Sequence, residues 1–121
     1  MIRIVIAGLQ KDRIKKSVIE AGGERVEALI TTDMDAAKRV KTGQADYYIG
    51  ACNSGGGAAL SIAIGLLGYS KCATVAKSGG KPDPLKIEAL VNSGTIAFGI
   101  AEESIETAVT FIVESLLKKH Q

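Results

Sequence analysis

The chain has no tryptophan, and aromatic residues make up only 4% of its 121 positions. Its formal charge is just +2, with acids and bases interspersed. Without stacking aromatics or a basic stripe, nucleic acid is not an expected partner. No apolar run reaches the roughly 18 residues of a membrane span, and the start lacks a secretory-signal pattern. The two cysteines have no metal-type spacing, so they are expected to be reduced thiols in the cytoplasm. The single histidine, His120, falls in an expected frayed tail and is a poor general base. Asp12, Asp33 and Asp35 fit caps or surface charge better than a metal cluster. No metal and no cofactor is expected.

What is present is a core of Ile, Val, Leu and Ala, with apolar residues at 46%. A chain of this length makes one domain, residues 1–121, around a single core. Strand and helix patterns alternate along it with no linker, repeat or low-complexity stretch. IRIVIAG (2–8) is a β-branched run closed by glycine, followed by a basic amphipathic helix over 10–21. RVEALIT (25–31) is a second strand. Thr32 and Asp35 resemble a capping box for a helix ending near Gly43. DYYIGA (46–51) leads through a glycine loop into a helix over 57–67. KCATVAK (71–77) precedes a helix over 84–93, with Asp83 as its cap and Pro84 at its first position. TIAFGI (95–100) precedes a last helix carrying the stripe Ile105, Ala108, Val109, Ile112, Leu116 and Leu117.

Five such units with right-handed crossovers predict an α/β fold, a five-stranded parallel sheet between two helix layers. The expected strand order is flavodoxin-like or Rossmann-like, 2-1-3-4-5. Ligands of such sheets bind beyond the carboxyl ends of the strands, at the switch point between strands 1 and 3.

The loop Cys52-Asn53-Ser54-Gly55-Gly56-Gly57 crosses that point. Its glycines admit close approach of a ligand to a helix N-terminus, whose unpaired N–H groups suit an anion. The helix dipole supplies only about 0.3–1 kcal/mol, whereas millimolar binding needs about 4 kcal/mol. More donors are therefore required, and the Ser54 hydroxyl with Lys77, Ser78 and Lys81 of the second glycine-rich loop, KSGGKP, can supply them. The plainer account makes the glycines a tight turn that lets the helix pack closely. The motif is neither a Walker A loop nor a dinucleotide fingerprint. Cys52, just before the helix, is either an activated base or nucleophile or a small buried hydrophobe. Cys72 is expected in the core. The helix GAALSIAIGLL is apolar nearly all round, with Ala59, Ile62, Ala63, Leu66 and Leu67 assigned to the sheet. Leu60 and Ile64 are then left for a second cover, which predicts a homodimer or higher homo-oligomer.

The stretch ADYYIGACNSGGGAALSIAIGLLGYSKCATV (45–75) closely resembles the YhfU-like family of small, uncharacterised bacterial proteins. That resemblance implies a bacterial α/β protein beside a membrane transport protein and small-molecule enzymes, with no established activity. Over about fifteen residues the chain also resembles the B-type ribose-5-phosphate isomerases. Cys52, Ser54, Gly55 and Gly57 match their Cys-Gly-Thr/Ser-Gly-x-Gly pattern, and Asn53 replaces a glycine. The likeness implies proton transfer by Cys52 and sugar contact by the loop. It does not extend to ring opening, because the first loop lacks the acidic-histidine pair those enzymes use for it and no other histidine can replace it. Two functions follow as expectations. One is binding of an anionic small molecule, a phosphorylated sugar or carboxylate, with Cys52 in proton transfer. The other is a non-catalytic accessory or sensor subunit of a membrane transport system.

Overall fold

The computed structural model describes residues 1–53 and 57–121, the side chains of 57–59 excepted. Five strands, β1 (Ile2–Gly8), β2 (Val26–Ile30), β3 (Tyr47–Cys52), β4 (Cys72–Ala76) and β5 (Ala97–Ala101), alternate with five helices. The helices are α1 (Lys11–Gly22), α2 (Asp33–Lys41), α3 (Gly57–Leu67), α4 (Pro84–Asn92) and α5 (Ile105–Lys119). The caps form as the sequence predicts. Thr32 Oγ1 accepts the Asp35 N–H at 3.2 Å, and Asp83 Oδ1 accepts those of Leu85 and Lys86 at 2.9 and 3.4 Å.

All strand pairs are parallel, but the order is β2-β1-β3-β5-β4, so the last two strands are exchanged relative to expectation. Burial explains the exchange. Every residue of β5 (AFGIA) is buried, whereas the first four of β4 (CATVA) are only half-buried. A strand covered on both faces belongs inside the sheet. The β4 ladder also shifts register between Thr74 and Ala76, a disruption at home on an edge. The crossovers keep one hand: α1 and α4 pack on one face and carry the chain one way across the sheet, and α2 and α3 do the reverse on the other.

On the first face Ile4, Ile6, Ile49, Phe98 and Ile100 meet Ile14 and Val18 of α1, Ile87 of α4, and Ile105, Ile112 and Leu116 of α5. On the second, Val5, Ala7, Tyr48 and Ala97 meet Ala36, Ala37 and Val40 of α2 and Leu60 and Ala63 of α3. Leu60 is 2% exposed, so α3 is rolled differently from the expectation that left this residue outside. Ile62, Ile64, Leu66 and Leu67 are half-buried against the same cluster. The face open to a second copy is correspondingly narrower.

His120 is not frayed. Its Nε2 shares a 2.7 Å hydrogen bond with the Tyr47 hydroxyl, and the two rings meet edge-on at 5.7 Å. Helix α5 runs back along the sheet and delivers the histidine to the amino-terminal edge, where β3 starts.

Candidate functional site at the carboxyl edge

The carboxyl ends of β1, β3 and β5 come together at Gly8, Cys52 and Ala101. Gly8 lies opposite Ala51, and Cys52 opposite Ala101. The end of β1 is drawn tightly against β3: Gly8 has φ +88°, and a Cβ there would stand 2.5 Å from the Ala51 carbonyl oxygen. That oxygen accepts the Leu9 N–H at 3.0 Å. Gln10 then takes a left-handed conformation, φ 55°, before α1 begins.

Cys52 ends β3, 9% exposed, and Asn53 follows as an exposed bend. Ser54, Gly55 and Gly56 lie outside the described residues, and Gly57 is the first residue of α3. Tyr47, Ile49 and Ala51 belong to the first sheet face and Tyr48 to the second. By the period of two, Gly50 and Cys52 share the second face with Tyr48.

Lys77, Ser78 and Lys81 follow β4. With β5 intervening, the end of β4 is not the neighbour of β3 that the expected order made it. The loop is instead tied to the start of α5, where Glu103 Oε1 accepts the Gly79 N–H at 2.8 Å. This N–H, and then the Ser78 hydroxyl, hold the Glu103 carboxyl below the usual range. Ser78 and the Gly79 amide are thus already engaged by an internal anion. Lys77 and Lys81 are exposed and, with Lys86, line a cleft of about 270 Å³ between β4 and α4. Cys72 is half-buried rather than wholly in the core. It lines a groove of about 420 Å³ with Leu60, Ile64, Tyr69 and Lys77, and burial pushes its thiol pKa up.

Three side chains at this edge were not assigned to a site from sequence: Glu103, Asp33 and Tyr48. Tyr48 is fully buried, and its hydroxyl donates to Asp33 Oδ1 at 2.7 Å. Burial, and then the bond to Asp33, raise the phenol above its ordinary range. The only signal for this pairing is a glycine two positions after an aromatic residue in one strand. The larger cleft of about 580 Å³, lined by Met1, Glu24, Arg25, Asp46 and His120, lies at the opposite edge. Two of its charged side chains are engaged within the fold: Asp46 Oδ1 accepts from Arg3 at 3.1 Å, and Arg25 donates to the Leu117 carbonyl at 3.1 Å. Among the described residues no group of three metal-ligating side chains occurs. None of their helices is long and apolar enough to cross a membrane.

This arrangement of parallel sheet and helices is the fold of the type B ribose 5-phosphate isomerases. The Trypanosoma brucei enzyme matches it with a TM-score of 0.70 at 20% identity, covering 98% of this chain and 87% of that one. Ribose-5-phosphate isomerase B of Giardia lamblia matches with a TM-score of 0.61 at 21% identity, covering 96% and 87%. The chain belongs to the family described as protein of unknown function DUF2620, whose model matches residues 2–116. It is similar to the uncharacterized protein YhfU of Escherichia coli (strain K12) and of Shigella flexneri. Each is 46% identical over 116 residues, which cover 96% of this chain and 99% of the relative.

Proposed function

We propose that the protein binds an anionic small molecule, a phosphorylated sugar or a carboxylate, at the loop Cys52–Gly57, and that Cys52 transfers a proton. The observation that carries this reading is the position of Cys52 at the carboxyl end of a central strand, between the ends of β1 and β5 and ahead of α3. Ligands of parallel sheets gather at this edge, and a thiol near a helix N-terminus is eased towards thiolate. The shared fold adds support, since the names of the similar enzymes specify a sugar phosphate. Ring opening by histidine is not part of the proposal, because His120 lies at the opposite edge.

Alkylation by iodoacetamide tests the site. Cys52 is expected to react faster than Cys72, whose thiol is raised by burial, and ribose 5-phosphate or another anion of a metabolite panel should protect it. Cys52→Ser should retain ligand binding and lose turnover. If labelling is reversed, or no anion protects, Cys52 is only a packing residue. Unchanged function in the serine variant would leave binding without thiol chemistry, as in a non-catalytic accessory or sensor subunit.

The lysine loop has its own test. In Glu103→Gln the Ser78 hydroxyl and Gly79 amide lose their charged partner, so inorganic phosphate should bind there more tightly. The amide resonances of Ser78, Gly79 and Gly80 report this by titration in NMR spectra. Unmoved resonances in both proteins would remove Lys77, Ser78 and Lys81 from the site.

A further inference from the structure

Asp33 opens α2, just past the end of β2, and its Oδ1 accepts the Tyr48 hydroxyl at 2.7 Å. The phenol has room to make this bond because position 50 carries no side chain. A Cβ on Gly50 would stand 2.7 Å from the Tyr48 hydroxyl oxygen and 3.0 Å from Cζ. Cys52 is the next residue on that face, about 7 Å further along the strand. Carboxylate, phenol and thiol therefore share one sheet face at the ligand-facing edge.

A buried tyrosine hydroxyl needs an acceptor, and a backbone carbonyl would serve. A half-buried carboxylate does more. The phenol fixes one of its two oxygens. Among the described residues Asp33 Oδ2 has no partner, so it is left to accept from outside the protein. The neighbouring acid is committed elsewhere: Asp35 Oδ2 accepts from the Thr31 hydroxyl and from Arg39 Nε, each at 2.6 Å. Across Ala97 from Tyr48 the titratable neighbour is Cys72.

We propose that Asp33 is a ligand-binding carboxylate of the Cys52 site, set in place by Tyr48, and that it accepts a hydrogen bond from a ligand hydroxyl. This rests on the reading of Cys52 given above and narrows the ligand to a hydroxylated anion. A nearby carboxylate disfavours a thiolate, so Asp33→Asn should move the pH midpoint of Cys52 alkylation down by about half a unit. Tyr48→Phe should move it less and in the same direction, because the carboxylate stays but loses its anchor. With ribose 5-phosphate as the protecting probe, Asp33→Asn should weaken protection of Cys52 about tenfold, the loss of one hydrogen bond to a charged group. Protection by inorganic phosphate should be unchanged. An unmoved midpoint in Asp33→Asn, with native circular dichroism, would overturn the role of Asp33 and leave Cys52 untouched. Equal ribose 5-phosphate protection of wild type and variant would likewise overturn it. If the sugar phosphate fails to protect even the wild type, the Cys52 reading and this one fall together.

Discussion

Gly8→Ala is expected to destabilise the protein by about 2–4 kcal/mol, combining a left-handed backbone penalty with overpacking. The residue has φ +88°, and the new methyl would meet the Ala51 carbonyl oxygen at 2.5 Å. That oxygen is backbone within β3 and already accepts from Leu9, so it cannot swing aside as a side chain would. Relief requires the end of β1 to part from β3, which opens the edge where Cys52 sits. Gly43, just past the end of α2, is the control. It also has positive φ, +80°, but nothing lies within 4 Å of its Cβ position. Gly43→Ala should cost only about 1 kcal/mol, the conformational part alone. At roughly 3–5 °C per kcal/mol for a chain this size, thermal unfolding followed by circular dichroism separates the two variants. Cys52 alkylation should also accelerate in Gly8→Ala alone. Equal losses in the two variants would show that the approach of β1 to β3 is not what requires glycine at position 8.

Phe98→Ala should cost about 3–5 kcal/mol, the range for truncating a buried aromatic ring. Phe98 is fully buried on β5, lies opposite Ile49 of β3 and Ala73 of β4, and meets the Tyr47 ring at 6.3 Å. Val75 of β4 packs half-buried against the same core, and Val75→Ala should cost about 1 kcal/mol for its partly covered methyl groups. The two losses report which strand is inside the sheet. With β4 inside and β5 at the edge, the gap would narrow or invert. Urea midpoints of both variants decide this directly. A loss below about 1 kcal/mol for Phe98→Ala would contradict the burial on which the strand order rests.

The class of fold and the position of its elements were legible because their causes are local. Alternating β-branched runs, the Thr32 and Asp83 caps and the 3.6-residue stripe of α5 act over a few residues, and a linear pattern records them. The ligand-facing edge was legible too, since parallel strands joined by helices direct the loops after β1, β3 and β5 to one side. The sequence by itself thus placed Cys52 at the end of β3, ahead of a helix.

What it could not decide were matters of partnership. The patterns of β4 and β5 are similar, and which lies inside depends on how much apolar surface each helix layer covers. Helix α3 is apolar nearly all round, so no polar face states its roll, and packing against α2 and the sheet turns Leu60 inward. The Tyr48–Asp33 bond spans 15 residues, Gly79–Glu103 spans 24 and Tyr47–His120 spans 73. Each joins groups that a local pattern treats separately, as a strand aromatic, a helix cap, a loop or a chain end. Only when the sheet assembles do they come within hydrogen-bond distance. Tertiary structure therefore decided that the lysine loop is held by an internal carboxylate and that Asp33 shares its face with Cys52. The physical reason is that hydrogen bonds reach about 3 Å through space, whatever the separation along the chain.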